Sequence, residues 1–131
     1  MVYWDSTASL VLGESSLEAQ ELARRIVEIA SDRQASDIVL LDIRPIATVA
    51  DYFVVLSTAS ERQMTAVVRE VEQSLRNNDG IRPLRTEGQA SSGWVLMDYG
   101  DVIVHLFSAE QRGFYRLEEL WSAAVPLVRV Q

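Results

Sequence analysis

The chain has 131 residues, 48% of them hydrophobic and 24% charged, enough for one compact domain that buries about 70% of its unfolded surface. It has no cysteine, which excludes a disulfide framework, a thiolate zinc site and a cysteine nucleophile, and no apolar run approaches the ~20 residues of a membrane span. Nineteen acidic residues stand against twelve basic ones, all arginine, for a net charge of −7.

That balance poorly suits non-specific nucleic-acid binding, which rests on phosphate neutralisation. Arg24-Arg25 and Arg82-Arg85 are too sparse to form a basic stripe. A basic protein surface is the more natural partner. The missing lysine reads as composition bias rather than function. The N-terminus, "MVYWDSTASLVLGESS", lacks a basic stretch before its short apolar patch, so a signal peptide is not expected and a cytoplasmic location is.

Residues 1–14 show no sustained period and read as a poorly ordered arm, leaving 15–131 as a single domain. A capping-box pattern, Ser15 to Glu18, predicts a helix through about Arg33, with Leu22, Ile26, Ile29 and Ala30 on one face. "DIVLLDI" (37–43) and "DYFVVLS" (51–57) predict strands, and their nearly continuous apolar character is that of strands covered on both faces. "TASERQMTAVVREVEQSLRNNDG" (58–80) predicts the clearest helix, capped by Thr58 or Ser60 and stopped at "NNDG".

A polar stretch then allows a short edge strand near Arg82 to Thr86, where alone Pro83 is tolerated. "WVLMDYGDVIVHLF" (94–107) predicts a hairpin turning at Gly100-Asp101. A final helix is expected in "EQRGFYRLEELWSAAVPLV" (110–128), with Phe114, Leu117, Leu120, Trp121 and Ala124 on one face. The order αββα(β)ββα points to an α/β (α+β) domain with one mixed sheet flanked by helices.

The hairpin carries the candidate site. Its register pairs Tyr99 with Val102, Asp98 with Ile103, Leu96 with His105 and Trp94 with Phe107. Alternation puts Val95, Met97, Tyr99, Val102, Val104 and Leu106 on one face, expected to pack under helices. Trp94, Leu96, Asp98, Ile103, His105 and Phe107 share the other, with Asp98 and His105 as diagonal neighbours.

Asp98, Asp101 and His105 therefore do not converge as catalysis or metal binding requires. His105 reads first as a histidine hydrogen-bonded to Asp98, then as a partner contact, and last as a ligand or general base. Asp101 reads as a turn residue. Trp94 and Phe107 are either core or the anchors of an interface, and sequence physics leaves both open. No nucleophile-elbow, phosphate-loop, dinucleotide or paired-histidine motif is present.

At "DYFVVLSTASERQ" (51–63), Glu87-Gly88, "WVLMDYGDVIVHLF", Arg112, Tyr115 and "LEELW" (117–121), the chain resembles the ribosomal silencing factor family, also called the Iojap family. The resemblance runs unbroken over about residues 16–124. Thr58 departs from it, standing where the family usually carries glycine; a turn needing positive φ would make threonine costly, whereas a rebuilt helix cap would not.

The resemblance implies a fold related to nucleotidyltransferases but without their catalytic carboxylates. It implies a translational repressor that binds the large ribosomal subunit through large-subunit ribosomal protein fourteen, blocks joining with the small subunit and lowers translation when nutrients are scarce. The family's contact surface maps here to Trp94, Leu96, Asp98 and Tyr99, to which the residue reading adds His105 and Phe107. A homodimer is implied. No enzyme activity, cofactor, metal, membrane contact or direct nucleic-acid recognition is expected. The competing readings are a metal-dependent nucleotidyltransferase relative using Asp98 and Asp101, and a purely structural dimer.

Overall fold

The computed structural model describes residues 17–115 and 124–131. Helix α1 (Ala19–Asp32) starts later than Ser15 would place it. The Glu21 carboxylate accepts from the Glu18 backbone N–H at 3.2 Å and sets the start there, while Ser15 and the expected N-terminal arm lie outside the described residues. Leu22, Ile26, Ile29 and Ala30 are buried, joined by Ala23 and Val27.

Strands β1 (Ser36–Asp42) and β2 (Tyr52–Thr58) run antiparallel. All seven residues of β2 are buried, as its continuous apolar run implied. Thr58 is not in the left-handed region; its hydroxyl donates to the Phe107 carbonyl at 3.3 Å. The residue standing in for glycine thus sits in ordinary strand backbone, and the cap has moved to Ser60. The Ser60 hydroxyl accepts from the Gln63 N–H at 3.0 Å and opens α2 (Glu61–Asp79), which Gly80 ends in a left-handed cap.

The edge strand is β3 (Arg85–Gln89), three residues later than expected, so Pro83 lies just before it. A short 3-10 turn (Ala90–Ser92) leads to β4 (Trp94–Asp98) and β5 (Val102–Ser108). Their register is the expected one, Trp94 with Phe107 through Asp98 with Ile103, closed by a Tyr99 N–H to Val102 carbonyl bond of 2.9 Å.

The helix expected to run to residue 128 does not reach it: α3 is described over Ala109–Tyr115, and residues 116–123 lie outside what is described. Val125–Val130 forms β6, antiparallel to β1, with Pro126 beside Leu41. Proline at 126 would remove a helical hydrogen bond and clash with the preceding turn, whereas a sheet edge tolerates it. Ala124 is buried next to this strand, not in a helix. The shared face expected of Phe114, Leu117, Leu120 and Trp121 lies outside what is described.

The six strands order as β3-β4-β5-β2-β1-β6, with β2 and β5 parallel and all other neighbours antiparallel. On one face α1 and α2 cover the larger core, Ile26, Val67 and Leu75 meeting Leu40, Val54, Met97 and Val104. The alternate strand residues, among them Val39, Phe53, Val55, Ile103 and Phe107, build a smaller core on the second face. Both faces of β1, β2 and β5 are therefore apolar. No described helix is long and apolar enough to cross a membrane.

Candidate functional site

The second face of the β4–β5 hairpin gathers five of the six sequence candidates. Phe107 is fully buried and His105 nearly so. Above Phe107 lies the Trp94 ring, stacked at a centroid distance of 5.1 Å and an angle of 26°. Phe53, from β2, meets the His105 ring edge-on at 4.8 Å, with Trp94 6.1 Å and Phe107 6.2 Å from the same imidazole. Trp94, Leu96 and Asp98 are half-buried along β4, alternating with buried Val95 and Met97. They form a line of partly accessible side chains on a floor of buried aromatics.

Tyr99 does not belong to that line. It packs against the helix-side core on the opposite face. Burial first, and then the Glu72 carboxylate, raise its phenol well above the ordinary tyrosine range, so it stays protonated.

The expected hydrogen bond between His105 and Asp98 is not formed. Asp98 instead accepts from the Gly100 backbone N–H at 2.8 Å and faces the Arg85 guanidinium at 3.3 Å. Gly100 has φ of 91°, and the hydrogen bond that its N–H donates to Asp98 braces this turn. His105 is held by aromatic packing, and burial pushes its pKa down to about 4, so at neutral pH it is an uncharged ring. Neither Asp98's partner Arg85 nor His105's neighbour Phe53 is a site candidate in the sequence. Arg85 becomes Asp98's cross-strand neighbour only in the observed β3 register, and Phe53 reaches His105 only because β2 and β5 pair.

Asp101 is exposed in the turn, and its backbone carbonyl accepts from the Asp51 and Tyr52 N–H groups at 2.8 and 3.0 Å. Asp98 is committed to the turn and Arg85, so the two aspartates are not arranged as a free carboxylate pair. Among the described residues, no three His, Cys, Asp or Glu side chains are grouped to hold a metal ion. Elsewhere, Arg44 grips Asp42 with bonds of 2.9 and 2.7 Å, which lowers the Asp42 pKa, and lies 5.3 Å over the Tyr52 ring. Arg112 of α3 donates to the Ser57 hydroxyl at 2.9 Å beneath the second face.

This geometry suits surface recognition: a large aromatic held in one orientation, an aliphatic neighbour, and a carboxylate at the end of the line. The family model described as "Ribosomal silencing factor during starvation" matches residues 16–131. The chain is 40% identical over 105 residues to a Bacillus subtilis protein named ribosomal silencing factor, covering 77% of this chain and 88% of the relative. A protein of the same name from Halalkalibacterium halodurans is 37% identical over 112 residues, covering 86% and 94%. A crystal structure of a Chromobacterium violaceum protein superposes with a TM-score of 0.76 at 32% identity, covering 81% of this chain and 88% of that one. With the family model spanning the described domain and these relatives covered nearly end to end, the chain belongs to the ribosomal silencing factor family.

Proposed function

We propose that this protein is a ribosome-associated regulator of translation that acts in the cytoplasm by binding, not by catalysis. It occupies the large ribosomal subunit through large-subunit ribosomal protein fourteen and obstructs joining of the small subunit, lowering translation under nutrient limitation. The observation that carries the reading is the half-buried Trp94–Leu96–Asp98 line, seated on the buried Phe107 and His105 rings. A tryptophan fixed by stacking loses little rotamer freedom on binding, which favours it as an anchor. His105 and Phe107 act from beneath, by holding Trp94. The reading as a nucleotidyltransferase relative has less support, because Asp98 is engaged by Arg85 and Gly100.

The test is sedimentation of mixed ribosomal subunits with added protein, beside a binding titration on purified large subunits. Wild type should deplete joined ribosomes. Trp94→Ala should cost about 2 kcal/mol or more of binding, roughly a thirtyfold rise in Kd, with a smaller loss of folding stability. Loss of the folding transition without a separable binding defect would place Trp94 in the core alone. Failure of the wild type to bind large subunits would refute the proposal.

A further inference from the structure

All four large apolar side chains that are exposed among the described residues, Ile46, Val49, Leu84 and Val125, lie at one end of the sheet. The registers show it: β1 ends there at Asp42 opposite Tyr52 and Val125, β5 begins there at Val102, and β4 ends there at Asp98 opposite Arg85. The chain's three prolines, Pro45, Pro83 and Pro126, fall at the same end. With adjacent strands ~4.8 Å apart, six strands make this rim about 24 Å wide.

The rim is braced. The Leu84 N–H donates to the Asp98 carbonyl at 2.7 Å, the Asp51 N–H to the Asp101 carbonyl at 2.8 Å, and the Ile43 N–H to the Asp51 carbonyl at 3.0 Å. It also leans to the second face, since Ile43, Ala47, Ala50 and Ala124 belong to that face's core. Leu84, 75% exposed, is tied through its backbone to Asp98, the last residue of the Trp94 line, and Val49 is 65% exposed across the same margin.

We propose that this rim is a second anchor of the ribosomal contact, with Leu84 and Val49 packing against the same basic protein surface that the Trp94 line meets. The inference rests on the function proposed above. Charge selects the occupant. The strand ends and loops of this rim carry Asp42, Asp51, Glu87, Asp98 and Asp101 against Arg44, Arg82 and Arg85, an excess of two negative charges, with Arg44 paired to Asp42 and Arg85 to Glu87 and Asp98. An acidic rim of this kind repels nucleic-acid phosphates and anionic lipid, and complements a positively charged protein. Prolines and backbone cross-bonds reduce the ordering cost of binding, so the exposed apolar area contributes more fully.

The test is a titration of purified large subunits, and of isolated protein fourteen, with wild type, Trp94→Ala, the double variant Leu84→Ala/Val49→Ala, and Leu84→Arg. The double variant should bind about tenfold or more weakly with an unchanged melting temperature, because both side chains are mostly exposed. Leu84→Arg should bind more weakly still against a basic surface, and is read in its place if the double variant melts early. If wild type binds and Trp94→Ala is impaired while the rim variants bind normally, the second anchor is overturned and the proposed function stands. If wild type binds neither target, both fall. If the rim variants alter only self-association in sedimentation equilibrium, the rim is a contact between copies and the proposal is overturned.

Discussion

Acidification from pH 7 to pH 5 should destabilise this protein through His105. The imidazole is buried among Phe53, Trp94 and Phe107, and burial pushes its pKa from 6.5 to about 4. Below about pH 6.5 the unfolded chain takes up a proton that the folded chain refuses until about pH 4. The unfolded state therefore binds more protons across that window, and stability falls as pH falls. At about 1.4 kcal/mol per pH unit, the loss is about 2 kcal/mol by pH 5 and about 3 kcal/mol once pH has passed below 4. The chain has one histidine, and ordinary carboxylates titrate near 4, so the upper part of the window belongs to this group. Asp42 contributes at lower pH, since Arg44 holds its pKa below 3.8. Urea denaturation at several pH values between about 7.5 and 5 measures the effect on wild type and on His105→Phe, which keeps an aromatic ring but cannot titrate. A flat wild-type profile, or the same slope in His105→Phe, would show that the buried imidazole is not responsible.

Three further outcomes follow from the geometry. Gly88→Ala should lower stability by at least about 2 kcal/mol, because φ is +86° and the new Cβ would collide with the Trp94 carbonyl oxygen; wild-type thermal stability in this variant would contradict the β3–β4 register. Millimolar magnesium, manganese or zinc should leave the melting temperature unchanged, whereas a specific site at ~100 times its Kd would add about 2.7 kcal/mol. A saturable rise that disappears in Asp98→Asn/Asp101→Asn would restore the enzyme reading. Binding to isolated protein fourteen should weaken only moderately between about 50 and 200 mM salt, far short of the ~10³-fold loss of a protein making many phosphate contacts. Tight binding to protein-free large-subunit RNA, with none to the protein, would overturn the account of the acidic surface.

Local chemistry alone determined the hairpin and the two long helices. In the hairpin, Gly100-Asp101 sets the turn, and a residue period of two then assigns every side chain from Trp94 to Phe107 to a face. In α2, the Ser60 cap, the Met64–Leu75 apolar row and Gly80 are all contained within one stretch of chain. The family resemblance was equally legible, because its motifs are contiguous runs.

What only the tertiary structure decided depends on residues far apart in sequence. Val125–Val130 becomes a strand because β1 offers it a free edge, a partner no local window contains. Asp98 binds Arg85 in place of His105 because β3 brings a guanidinium alongside, and a charged donor outcompetes a neutral ring. His105 is buried and uncharged because β2 places Phe53 against it. Burial on the second face is a sum over several strands. Sequence could therefore name the side chains of that face, but not which remain accessible to a partner.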